Sequence, residues 1–140
     1  MGDIVLTKAF YEILNRQPYK TETVVVGRKK LKVEVADSFM KKMIGLMYRE
    51  NMGKTDGMLF KISEPGVMAS TITTINMRFS IDIVWLDSRK RVVDVARNAE
   101  PSPSIFASYR PRKPAAYVME LRAGAAKKLG IEPGDKVAFP

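Results

Sequence analysis

Residues typical of β-strands concentrate in several short runs along the chain. Two of these runs, Thr23 to Val26 and Leu31 to Ala36, flank the turn-like "GRKK" and predict a β-hairpin. From Gly57 onward four more runs follow one another closely enough for an antiparallel meander: "GMLFKIS", "VMASTITTIN", "FSIDIVWLD" and "RVVDVARN". The runs "AAYVMEL" and "KVAF" predict two further strands near the C-terminal end.

Three other segments have the spacing of helices. In "DSFMKKMIGLMYRENM" one helical face is apolar, and we expect it to form part of the core rather than a soft ligand groove. That face comprises Phe39, Met43, Leu46 and Met47. "AGAAKKL" predicts a second helix that ends at Gly130, and "TKAFYEILNRQP" predicts a short N-terminal helix between Thr7 and Pro18.

These elements predict a mainly β or α+β fold. With 140 residues, 46% of them hydrophobic, the chain can bury the core of one domain. We expect residues 1–21 to form a partly helical extension. Residues 22–140 should form a small, mostly antiparallel β-barrel-like domain with two or three short helices, because closing a sheet removes its exposed edges. The segment "AEPSPSIFASYRPRKP" predicts a long surface loop.

The chain contains neither cysteine nor histidine. This excludes disulfides, thiolate nucleophiles, imidazole bases and the usual zinc sites. The sequence also lacks an acidic calcium-loop pattern, a Walker A motif and a Gly-rich dinucleotide loop, so we expect no metal and no cofactor. No apolar run approaches the roughly eighteen residues of a membrane span, and no signal-peptide pattern is present. We therefore expect a soluble, cytoplasmic protein without a membrane partner.

The formal net charge is +9, and most of the surplus lies between Ser88 and Lys128. Such a positive field attracts anionic ligands, acidic partners or nucleic acid. The loop "SIFASYRPRKP" places aromatic residues beside basic ones, as a candidate anion-binding lip. This lip comprises Phe106, Tyr109, Arg110, Arg112 and Lys113. A loop that packs its own aromatic residues down is the alternative, and we favour it over nucleic-acid binding.

Asp82 interrupts an apolar run between Ile81 and Ile83. A buried carboxylate there needs a cation or backbone amides as partners, and losing one partner of a buried pair costs on the order of 3–5 kcal/mol. Arg49 is the preferred partner because a guanidinium can bind a carboxylate with two hydrogen bonds, and Arg78 is its rival.

Glu120 interrupts a second apolar run, "YVMEL". The functional hypothesis joins four residues into a pocket that supplies a general base or a ligand anchor: Arg49, Asn76, Asp82 and Glu120. The alternative, which we favour, is a buried polar cluster that fixes how the helix docks on the barrel.

Five motifs, in order, resemble the uncharacterised family catalogued as domain of unknown function one hundred and ninety-two. They are "IGLMYRENM", "GMLF", "NMRFSIDIVWLD", "AAYVMELRAGAAKKLGI" and "PGDKV", and the resemblance covers residues 22 to 139. It implies a compact β-barrel-like domain without an established activity. The chain departs from the family pattern at "ITTINM", where many relatives have an aromatic-Trp-Met-Lys-Asn-Thr run, and at Ser80, where proline is usual.

The ending "LGIEPGDKVAF" is similar to the Gly-Asp turn of cradle-loop barrels. In that turn Gly134 would permit the tight bend and the Asp135 carboxylate would accept backbone N–H groups.

These observations lead us to expect a non-enzymatic binding module for an anionic ligand or acidic partner, acting as a monomer or weak oligomer. The alternatives are a carboxylate-dependent hydrolase and a nucleic-acid-binding accessory protein. A glycosidase would need two carboxylates at a defined separation, which a sequence does not give.

Overall fold

The computed structural model describes residues 8–9, 12–13, 19–67, 69–104 and 106–140. Strands dominate this part of the chain, which confirms the mainly β prediction. The elements are β1 (Thr21–Val26), β2 (Lys29–Ala36), α1 (Phe39–Ile44), β3 (Gly57–Gly66), β4 (Ile72–Thr73), β5 (Ile81–Leu86), β6 (Val92–Ala99), β7 (Ser108–Tyr109), β8 (Ala115–Arg122), α2 (Ala125–Leu129) and β9 (Val137–Ala138).

Seven strands form one curled sheet in the order β6-β5-β8-β3-β2-β1-β9, and β4 pairs with β7 in a separate ribbon. All the pairs are antiparallel except β2 with β3. The short strand β9 pairs with β1, and the residue before it, Lys136, forms a bridge with Arg91 next to β6. The chain segment around β9 therefore contacts both edges of the curled sheet, in keeping with the barrel-like prediction.

The predicted meander is wrong in two places. β3 pairs with β2 in parallel and with β8 in antiparallel fashion, so it does not pair with the run that follows it. The described residues of that run, "VMASTITTIN", form a strand only at β4, which pairs with β7 inside the segment predicted as a loop. The physical reason is that residues 69–77 cross the sheet face, where Trp85 Nε1 donates a hydrogen bond to Ser70 O at 2.7 Å.

Both faces of the central strands are covered. All six residues of β5 are buried, and they alternate between two hydrophobic clusters. Val84 and Leu86 pack in one cluster with Met119 and Ile131, while Trp85 packs in the other. Any polar side chain on β5 or β8 is consequently withdrawn from water.

Helix α1 is shorter than predicted, and the expectation that its whole apolar face is core is wrong. Phe39 is 77% exposed and Met43 is 46% exposed, whereas Ile44 and Leu46 are buried. The helix ends because Gly45 takes a left-handed φ of 51°, which turns the following residues toward the sheet. Ser38 caps its start by accepting a hydrogen bond from Lys41 N at 3.1 Å.

The second predicted helix and the final turn fall close to their expected positions. α2 ends at Gly130, whose φ is 68°. Lys8, Ala9, Glu12 and Ile13 are helical, and the rest of the segment predicted as an N-terminal helix lies outside the described residues. Asp135 Oδ2 accepts a hydrogen bond from Glu132 N at 2.8 Å. Within the described ranges, no helix is long and apolar enough to cross a membrane.

Candidate functional site

Asp82 is 1% exposed, and its carboxylate is held by backbone amides. Oδ1 accepts from Asn98 N at 2.8 Å, and Oδ2 accepts from Gly124 N at 3.0 Å and Ala126 N at 2.9 Å. Gly124 has no side chain to cap α2, so the carboxylate from β5 satisfies the free N–H groups of that helix start. Asp82 thereby joins β5, β6 and α2.

The pair expected between Asp82 and Arg49 is not formed. Arg49 binds Glu34 with two hydrogen bonds, of 2.6 and 3.2 Å, and its guanidinium lies 5.1 Å from the centre of the Tyr19 ring. The rival, Arg78, pairs with Glu50. Backbone amides of Gly124 and Ala126, at the start of α2, take the place of the expected cation. They come from a segment more than forty residues away in sequence, so local spacing around Asp82 does not indicate them.

Glu120 lies on the central strand β8, and only 3% of it is exposed. In the sheet it lies between Met58 of β3 and Ile83 of β5. No hydrogen bond or ion pair joins its carboxyl to any residue in the described part of the chain. Burial raises the pKa of the Glu120 carboxyl to about 8, because removal from water disfavours the charged form.

The Glu120 carboxyl contributes to a cavity of about 230 Å³, which we name the Glu120 cavity. Most of its lining residues are apolar, but polar atoms supply nearly half of its lining surface, and Lys42, Thr71 and Thr73 are among the polar residues. The apolar and backbone lining comes from Met43, Ile44, Gly45, Leu46, Met47, Phe60, Ile72 and Met77. A buried carboxyl without a partner among the described residues, in a cavity, can bind a ligand or transfer a proton.

Two segments that cover the sheet hold this cavity in shape. Tyr48 N, just after α1, donates to Asn76 O at 2.9 Å, and Asn76 has a left-handed φ of 60°. Thr74 Oγ1 donates to Glu100 O at 2.7 Å. Asn76 therefore contributes to the cavity through its backbone, by tying one covering segment to the other.

Gly57 sets how closely β3 approaches β8, the strand that carries Glu120. It pairs with Leu121 at the start of β3, and a Cβ atom at this position would clash with the backbone carbonyl of Glu120. Only glycine lets β3 lie this close to β8. The sequence "GMLF" thus places Phe60 against the cavity and β8 beside it.

The structure separates the four residues of the predicted cluster. Asp82 and Glu120 occupy adjacent strands, but successive side chains of a strand point to opposite faces, and Asp82 pairs in register with Leu121 rather than with Glu120. Arg49 contacts Glu34. Of the four, Glu120 lines the cavity and Asn76 supports it.

The predicted lip is likewise divided. Phe106 is 90% exposed, and Arg110 and Lys113 are exposed. Tyr109, by contrast, packs against the hydrophobic cluster around Trp85, and the Arg112 guanidinium donates to Asp94 at 3.0 Å. The lip therefore offers one free aromatic side chain beside two cations.

Sequence reasoning missed the residues that line the cavity opposite Glu120. Leu46, Phe60, Thr73 and Met77 were assigned to core or strand positions, because nothing in local spacing shows that they converge on a carboxyl. One signal was available: Leu46, Phe60, Met77 and Glu120 each lie in a different motif of the five quoted above. Among the described residues, no group of three acidic side chains could hold a metal ion.

Comparisons with known proteins agree with the motifs. The model of the family DUF192, described as "Uncharacterized ACR", matches residues 21–139. A UPF0127 protein of Pyrococcus abyssi is 41% identical over 77% of this chain and 86% of its own length. A UPF0127 protein of Pyrococcus furiosus is 32% identical over 82% of this chain and 94% of its own length. One from Thermococcus kodakarensis is 32% identical, and this chain spans 64% of it.

Two solved structures share the fold. A protein from Sinorhizobium meliloti 1021, named a "putative transcription regulator", has a TM-score of 0.76 and 32% identity, covering 86% of this chain and 95% of that one. A protein of unknown function from Novosphingobium aromaticivorans has a TM-score of 0.73 and 30% identity, covering 86% and 84% of the two chains.

Proposed function

The chain belongs to the DUF192 family of uncharacterised proteins, and we propose that it is a non-enzymatic binding module for a small, mostly apolar anion held in the Glu120 cavity. The observation that carries this proposal is the buried Glu120 carboxyl, which opens into a cavity lined mostly by apolar residues and has no partner among the described residues. Leaving such a group unpaired costs stability, and a bound ligand that accepts its proton in a hydrogen bond would recover that cost.

The polar groups of the cavity suit a ligand that accepts hydrogen bonds. With its pKa raised to about 8, the Glu120 carboxyl is mainly protonated at neutral pH and can donate. Thr73 Oγ1 accepts a hydrogen bond from Ile75 N at 3.2 Å, so its own proton remains for a ligand. Lys42 adds a positive charge to the lining, although its ammonium also bonds Lys61 O at 3.0 Å. Two donors and a cation favour a carboxylate over an amine.

The size and the apolar walls of the cavity limit the rest of the ligand. About 230 Å³ is slightly below the range of roughly 300–1,000 Å³ typical of drug-sized ligands. A short aliphatic or aromatic acid fits such a space. Ile72, Thr73 and Met77 of "ITTINM" line the cavity. Because the family that the motifs resemble often has an aromatic-Trp-Met-Lys-Asn-Thr run there, we expect ligand preference to differ within the family.

The test is to titrate the protein with hexanoate, 1-hexanol and hexylamine and follow backbone amide shifts by NMR. We expect hexanoate to bind best at pH 6.5. Its affinity should fall by about tenfold per pH unit above pH 8, since ionised Glu120 repels the carboxylate and no longer donates. Thr73→Trp, which fills the cavity, should abolish binding.

The matched variant is Glu120→Gln, which keeps a hydrogen-bond donor and has no charge at any pH. It should bind hexanoate about as well as the wild type at pH 6.5 and lose the pH dependence. A preference for hexylamine, or loss of hexanoate binding in Glu120→Gln at pH 6.5, would contradict the proposal.

A carboxylate-dependent hydrolase is the second candidate, because a carboxyl with a pKa near the working pH is suited to general acid or base catalysis. The cavity lining contains one acidic residue, Glu120, so a mechanism that uses a pair of carboxyls is not favoured. The same variant separates the candidates. Hydrolysis of a chromogenic ester that Glu120→Gln abolishes while binding persists would support the enzyme.

A further inference from the structure

A second concave surface lies at the end of β8 beside α2, and we name it the lysine groove. Its volume is about 520 Å³, and none of the described residues lines both this groove and the Glu120 cavity. Its cationic members are Lys29, Lys30, Arg122 and Lys128. Leu31, Leu121, Ala125 and Leu129 supply apolar lining. The groove thus combines an apolar surface with a cationic one.

The charges of the groove are unevenly compensated. Arg122 donates to Gly53 O at 2.8 Å and to Thr55 O at 2.9 Å, and its other terminal nitrogen lies 3.8 Å from Asp56. Asp56, the acidic residue of the lining, also accepts a hydrogen bond from Lys32 N at 2.8 Å. Arg122 and Asp56 therefore largely offset each other.

The three lysines of the groove are left without a counter-charge. No ion pair or side-chain hydrogen bond joins Lys29, Lys30 or Lys128 to any residue that the structure describes. Lys29 and Lys30 open β2, where successive side chains point to opposite faces, so Lys29 shares the face of Leu31. Lys128 comes from α2, so two separate elements bring positive charges to one concavity. Like charges that line one concavity repel one another, and an anion bound between them would relieve the repulsion.

We infer that the lysine groove binds a small phosphate monoester whose apolar group lies against Leu31 and Leu129. Lysine ammonium groups bind phosphate as point charges, and a phosphate dianion requires more than one of them. The volume lies within the range of small-molecule pockets. No aromatic side chain is among the described residues that line the groove, and single-stranded nucleic acid binding depends on such a stacking surface.

The experiment compares two double variants that remove the same charge. Lys29→Ala with Lys128→Ala removes one groove lysine from β2 and one from α2. Arg28→Ala with Lys127→Ala removes neighbouring exposed cations that do not line the groove. Phenyl phosphate is titrated into each protein at low salt and followed by NMR, with phenol and inorganic phosphate as separate probes.

We expect the groove variant to weaken phenyl phosphate binding by about tenfold or more and the control variant by less than about twofold. Phenol and inorganic phosphate should each bind more weakly than phenyl phosphate, because each engages one part of the groove. Equal weakening in both double variants would mean a diffuse charge effect and would overturn the inference, as would the absence of any saturable shift.

Two further arms separate this site from other possibilities. A short single-stranded oligonucleotide that outcompetes phenyl phosphate at the groove would replace the small-molecule ligand with nucleic acid and overturn the inference. Glu120→Gln should leave phenyl phosphate binding unchanged, since the two sites share no residue. Failure of the hexanoate experiment therefore does not affect this one.

Discussion

Asp82 and Glu120 are buried carboxyls on neighbouring strands of one sheet, yet their surroundings differ. Asp82 accepts three backbone hydrogen bonds, all within 3.0 Å. Glu120 has no such partner in the described part of the chain and opens into a cavity. A carboxylate that is satisfied by the backbone stabilises the fold. A carboxyl left unsatisfied destabilises it and remains available to a ligand.

The contrast explains why burial alone does not identify a functional acid. Both residues are at most 3% exposed, and both interrupt apolar strands. The difference lies in what reaches them: the start of α2 at Asp82, and the covering segments that leave a cavity at Glu120. Three substitutions test this comparison.

The largest effect should be in the pH dependence of stability at Glu120. Its pKa rises from the ordinary 4.5 to about 8 on folding, so between these values the unfolded chain loses a proton that the folded chain keeps. The free energy of unfolding should fall by about 3–5 kcal/mol as pH rises through this window and level off above it. Urea unfolding of wild type and Glu120→Gln at pH 5, 6.5 and 8 measures it. Parallel curves for the two proteins would contradict the assignment.

Asp82→Asn should have the next largest effect. It should lower the free energy of unfolding by about 3 kcal/mol, because the new amide NH₂ group would face buried N–H donors. Asp87→Asn is the control. Asp87 accepts two backbone hydrogen bonds near the surface, from Arg89 N and Arg91 N. Asp87→Asn should therefore lower the free energy of unfolding by about 1 kcal/mol. If urea unfolding shows the same decrease in the free energy of unfolding for both variants, the burial of Asp82 does not increase the contribution of its hydrogen bonds to stability.

Arg49→Lys should have the smallest effect, about 1 kcal/mol, because lysine cannot reproduce the two-bond contact with Glu34. Double-mutant cycles locate the partner. Coupling between Arg49 and Glu34 should be measurable, and coupling between Arg49 and Asp82 should be near zero. A coupling to Asp82 as large as that to Glu34 would restore the ion pair that the sequence led us to expect.

Much of the local structure could be predicted from the sequence, because it depends on short-range spacing. The hairpin of β1 and β2, the strands β5 and β8, and the end of α2 at Gly130 follow from runs of strand residues and from turn glycines. The parallel pairing of β2 with β3 could not be predicted, since it depends on which edge of β3 remains free once β8 pairs with the other edge.

The candidate site was predictable only in part. The sequence marks Asp82 and Glu120 as unusual, and it requires partners for Asp82. It cannot name the amides of Gly124 and Ala126, because these arrive through tertiary packing. Nor can it show that Glu120 lacks a partner, since the cavity depends on where α1 ends and where residues 71–77 cross the sheet.

The segment around β9 touches both margins of the curled sheet, and this affects how the protein is made. Val25 of β1 pairs with Ala138, and Arg91, just before β6, pairs with Lys136. Strands from the beginning and the middle of the sequence therefore depend on residues 136–138 for these pairings. Such distant pairing slows folding. While a ribosome is still adding residues 136–138, β1 and β6 expose unpaired backbone, and neighbouring nascent chains can add to it.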